Sequence, residues 1–100
     1  MKSFLSALLL TSTLSQPTLA LSSSEQWEYA KFAELTAQIY CNYKRAYRNV
    51  SVKERLTITF QYLRDDDFTR KYITRVVSDN EVFELFQPIF IKGVEKTCGF

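Results

Sequence analysis

Two cysteines, eleven carboxylates, thirteen lysines and arginines and no histidine are the groups with which this 100-residue chain could do chemistry. Without imidazole there is no Ser-His-Asp or Cys-His nucleophile system, no histidine metal site and no histidine pH switch. Cys41 and Cys98 stand too far apart for a C-x-x-C redox motif, and two thiols alone fall short of a zinc ligand set. A carboxylate pair for glycoside hydrolysis could be drawn from Glu28, Glu34, Glu54 or Glu84. Nothing in their spacing selects a pair, and a chain this short rarely encloses a substrate cleft. The residues predict no enzyme, no catalytic residue, no metal site and no cofactor.

Three further patterns have a functional and a structural reading. Asp65-Asp66-Asp67 invites calcium, but an EF-hand loop alternates its ligands, turns on a Gly and closes with a Glu. Here the acids are adjacent, and a solvated turn with a helix cap accounts for them. Tyr40, Tyr43, Lys44, Arg45, Tyr47 and Arg48 interleave rings with cations, a mixture that binds anions, sugars or single-stranded nucleic acid. Ordinary amphipathicity explains it as well, with tyrosines on a buried stripe and cations at a helix C-terminus. Asn49-Val50-Ser51 fits the N-x-S glycosylation acceptor, and equally a turn in which Ser51 caps the next helix.

The first twenty residues read as a secretory leader. Lys2 gives a short positive start, Phe4 to Leu10 an apolar stretch, and Thr18-Leu19-Ala20 a small-residue cleavage site. The apolar run is about half the roughly 20 residues that span a bilayer. Cleavage after Ala20 would leave 21–100 as one domain, exported to a bacterial periplasm or the extracellular space, with no membrane anchor. Both cysteines lie in that domain, and an oxidising compartment favours a Cys41–Cys98 bridge. Two free thiols, or a pairing between chains, are the alternatives.

The elements that would position these groups follow from periodicity and caps. Ser22 and Glu25 have capping-box spacing, and Tyr29, Phe32, Ala33, Thr36, Tyr40, Tyr43 and Tyr47 recur at helical steps up to about Arg48. Ser51 and Glu54 form a second box ahead of Val52, Leu56, Thr59, Phe60 and Leu63. There Leu56, Ile58, Phe60 and Tyr62 also alternate as a strand would, and the box favours helix. Asp66 or Asp67 is expected to cap a third helix with Phe68, Tyr72, Ile73, Val76 and Val77 on one face. Ser78 and Glu81 repeat the box before a fourth segment from Val82 to Val94, which Pro88 should kink or split. Gly99 is a plausible helix stop.

The expected fold is therefore all-α: a small bundle of about four helices with a long first helix, a kink at Pro88 and one disulfide. In size, leader and cysteine number the chain is similar to periplasmic acid-stress chaperones and to immunity proteins. Many unrelated proteins share those traits, so no residue role carries over. The near-neutral formal charge of +2 points away from nucleic acid. The function expected is an exported binding module of the inhibitor, immunity, chaperone or accessory-subunit type, with a protein partner or a second copy as its target. The alternative is a carrier holding a small apolar ligand between helices. The fourth segment is apolar on nearly every side, which nominates Phe83, Phe86 and Phe90 as an exposed docking patch.

Overall fold

Serine caps start the first two helices. In the computed structural model, which describes residues 21–100, Ser22 is extended and its hydroxyl accepts the Glu25 N–H at 3.1 Å. The Glu25 carboxylate in turn accepts the Ser22 N–H, also at 3.1 Å. The same reciprocal box joins Ser51 and Glu54. The helices that follow are α1 (Ser23–Ala46) and α2 (Val52–Asp65), so the alternating apolar pattern in the second gives no strand. The expected leader, residues 1–20, lies outside the described residues.

Asp66 caps the next turn. Its carboxylate accepts the N–H groups of Phe68 and Thr69 at 3.1 and 3.0 Å, and a short turn leads into α3 (Arg70–Ser78). The third Ser-x-x-Glu sequence does not form a box. Ser78 stays inside α3, where its hydroxyl donates to the Thr74 carbonyl at 2.7 Å. Asp79 is the cap instead: its N–H closes α3 on Arg75, and its carboxylate accepts the Glu81 N–H at 3.0 Å. One residue thus ends α3 and starts α4 (Asn80–Thr97).

Pro88 lies inside α4 and does not divide it. Proline lacks the N–H that would bond the carbonyl one turn back, so a compensating contact is needed. Val82, Phe86, Phe90 and Val94, at four-residue spacing, are buried on both sides of the proline, while Pro88 itself is exposed. Packing along this line carries the helix through. Gly99, at φ 74°, then takes the left-handed conformation, and its N–H bonds the Val94 carbonyl at 2.7 Å.

Helices α1 and α4 run side by side in the same direction. Phe32 faces Phe86, Tyr40 faces Phe90, and Cys41 is bonded to Cys98. Between these pairs a Cβ added to Gly93 would sit 2.9 Å from the Ala37 Cβ, so two small residues set the distance of closest approach. The chain returns between them through α2 and α3, which bring Phe60 against Phe90 and Tyr72 against Phe32. Buried hydroxyls are satisfied locally: Thr36 donates to Phe32 and Thr59 to Arg55, each at 2.8 Å.

Candidate functional site

The structure pairs Cys41 with Cys98, with their Cα atoms 5.8 Å apart. It separates the three phenylalanines proposed as a patch. Phe86 and Phe90 stack on each other with centroids 5.5 Å apart and are buried in the core, whereas Phe83 is 42% exposed. The four-residue line from Val82 faces α1 and takes both rings with it, leaving Phe83 on its outer edge. The segment therefore presents one ring, not three.

The exposed aromatic surface lies elsewhere. Trp27 is 63% exposed and Phe68 is 72% exposed. With Leu35, Lys31 and Tyr72 they line an open groove of about 200 Å³, floored by the buried Phe32. Trp27, Lys31 and Leu35 stand one turn apart along the outer edge of the α1 core stripe. The far wall is the α2–α3 turn. Asp66 fixes the backbone of Phe68 there, so this ring is held out by a bonded turn. Phe68 packs on Tyr72 with centroids 6.3 Å apart. Two of its rings have a cation beside them, Lys31 at 5.8 Å from the Trp27 centroid and Lys71 at 5.0 Å from that of Tyr72, and Glu28 adds a carboxylate to the lining.

Sequence reasoning missed this surface because it placed Phe68 on the buried face of α3. The helix begins only at Arg70, so Phe68 is set by the turn and not by the helical phase. Val77, assigned to that same face, is also exposed. For Trp27 the signal was present: it stands off the three- and four-residue stripe of Tyr29, Phe32 and Thr36.

Arg75 holds the two walls in register. It reaches Glu25 at 3.0 Å and Asp79 at 3.5 Å, and its guanidinium lies 5.6 Å from the Tyr29 ring centroid. The N–H of Ser22, and next the Arg75 side chain, hold the Glu25 carboxyl below its usual range. Burial pushes the Tyr29 hydroxyl above its usual range, with Arg75 opposing that shift.

The acidic turn has ordinary partners. Asp65 accepts from Gln61, Asp66 caps, and Asp67 pairs with Arg70 at 2.9 Å. Among the described residues no group of three potential ligands could hold a metal ion. The tyrosine–cation mixture divides in two. Tyr40 is buried, while Tyr43 and Tyr47 stack with centroids 6.0 Å apart near the helix end, Tyr47 exposed. Lys44 donates to the carbonyls of Cys98 and Gly99 at 2.9 and 2.8 Å, closing the end of α4. Lys44, Arg45 and Arg48 line an open groove of about 520 Å³ with Thr97 and Cys98.

A further residue went unnoticed in the sequence. Arg55 is buried on α2 and donates to the carbonyls of Val50 at 2.8 Å and Tyr47 at 3.5 Å. It also reaches the Tyr40 hydroxyl at 3.3 Å and the Phe100 carbonyl at 3.4 Å. One guanidinium thus ties the α1–α2 loop to the C-terminal residues.

No protein family, curated protein or solved structure matches this chain.

Proposed function

We propose that this protein is an exported, non-catalytic binding module that engages a protein partner through the Trp27–Phe68 groove. The observation that supports the reading is the pair of large rings exposed along one groove, one on a hydrogen-bonded turn and one on a capped helix. Aromatic anchors of this kind carry much of the energy at protein interfaces. Export is supported by the leader pattern and by the disulfide, which persists in oxidising compartments. The close contacts between core rings do not favour the carrier alternative, so one reading is kept.

The test uses Trp27, the only tryptophan of the chain. Partners crosslinked to the exported protein are identified, purified and titrated against it while Trp27 emission is followed. Binding at the groove should shift the emission and bury the ring. Phe68→Ser should weaken the complex at least tenfold with the melting temperature unchanged, and Trp27→Ala should do the same in a label-free assay. A partner whose affinity ignores both substitutions would overturn the assignment.

A further inference from the structure

The parallel course of α1 and α4 brings two helix C-termini to one end of the bundle, together with the start of α2. Besides the buried Arg55, that tip carries Lys44 and Arg45 from α1, Arg48 from the loop that follows it, Lys53 from α2 and Lys96 from α4. Glu54 and Glu95 are its carboxylates, and Glu54 is turned back onto Ser51 by the capping box. The surplus is three positive charges. Some of this neutralises helix dipoles, but each C-terminus amounts to only about half a negative charge. Two of them absorb about one unit, and about two remain facing solvent. Neither Arg45 nor Arg48 forms an ion pair among the described residues. Away from this tip, residues 64–81 balance Asp65, Asp66, Asp67, Asp79 and Glu81 against Arg64, Arg70, Lys71 and Arg75, so the cationic surplus is confined to one end of the bundle although the sum is near zero.

We infer that the tip is a peripheral docking surface for an anionic lipid bilayer. The cations come from three separate elements grouped around an end, an arrangement that meets a plane and not a threaded strand. The exposed Tyr47 stands among them, and a tyrosine beside lysine and arginine suits the headgroup level of a membrane. The far end carries no such cationic surplus, which fixes the orientation. No helix of the described residues is long and apolar enough to cross a membrane, and the attachment inferred is electrostatic, through the tip's cations. Trp27 lies 21 positions before Arg48 on or beside one helix, about 30 Å away at 1.5 Å per residue, so its groove would stand clear of the bilayer.

Sedimentation of the exported, disulfide-bonded protein with vesicles tests this. It should pellet with mixed phosphatidylglycerol–phosphatidylcholine vesicles at low salt, stay in solution with phosphatidylcholine alone, and be released at about 0.5 M salt. Arg48→Glu should lower the partition coefficient by more than about tenfold, as reversal of one charge at an anionic surface requires. Arg64→Glu, the same charge change at the far end, should lower it much less, and the melting temperatures of both variants should match the parent. Equal binding to both vesicle types, equal effects of the two substitutions, or binding to soluble heparin without binding to vesicles would each overturn the inference. The last result would give the tip to a polyanion in solution.

Discussion

Glu25 and Arg75, fifty residues apart in sequence, meet at 3.0 Å and lock the start of α1 to the junction of α3 and α4. The carboxyl titrates below its usual range in the folded chain, chiefly through the Ser22 N–H and then through Arg75. A carboxylate so lowered adds stability above its unfolded pKa, near 4.3, and loses it as pH falls through the lower folded value. Melting temperatures of wild type and Glu25→Gln should therefore differ at neutral pH and converge in acid below about pH 4. A gap that stayed constant with pH would show that the charge on the carboxylate, held by Ser22 and Arg75 together, is not its source.

Reduction of Cys41–Cys98 should destabilise the fold. The bridge closes a sequence separation of 57 residues, and the chain-entropy relation assigns a loop of that length about 4 kcal/mol. Denaturant titration with and without reductant measures it. The midpoint should fall well below that of the oxidised protein.

Phe83 and Phe86, adjacent in the expected patch, should part company on substitution. Phe86→Ala opens a cavity in the core and should cost about 3–5 kcal/mol. Phe83→Ala, at a half-exposed edge, should cost under about 1 kcal/mol. Calorimetry of the two variants side by side is sufficient, and similar losses would place both rings in the core.

Arg55 is expected to tolerate no conservative change. Lysine keeps the charge but not the fork that spans the partly buried Val50 and Tyr47 carbonyls and the buried Tyr40 hydroxyl, and a buried polar group left unpaired costs about 1–3 kcal/mol. Arg55→Lys should therefore lower stability by that order and speed amide exchange in 47–51. Full stability with lysine would mean that the loop is held by other contacts.

The architecture was legible in the chain because its signals are local. Ser22 with Glu25 and Ser51 with Glu54 fix two helix starts within four residues each, and the stripe from Tyr29 to Tyr40 marks the long core face. What failed were positions decided by neighbours. Ser78 has the spacing of a cap, yet it stays in α3 with its hydroxyl on the Thr74 carbonyl, and the adjacent Asp79 accepts the Glu81 N–H as a one-residue link between helices. Arg55 reads as a solvent cation until the loop carbonyls and Tyr40 are placed around it. Phe86 and Phe90 cannot be told from Phe83 by hydropathy, since which ring faces α1 depends on the drift of a four-residue repeat. The groove was hardest of all: Trp27 and Phe68 belong to different elements, and only the fold sets them along one surface.

The common direction of α1 and α4 has a consequence for how the pair comes apart. At one end α1 is fastened by the Glu25–Arg75 pair to α3 and, through Asp79, to the cap of α4; at the other a sulfur–sulfur bond joins it to α4 directly. Acid weakens the first fastening and leaves the second, while a thiol reductant does the reverse. The same two helices can thus be made to fray from either end by choice of solvent. Amide exchange along α1 would acquire a direction, with Tyr29 opening first in acid and Tyr40 first under reduction. The small-residue crossing at Ala37 and Gly93 lies between the two fronts, the hinge line on which both kinds of opening converge.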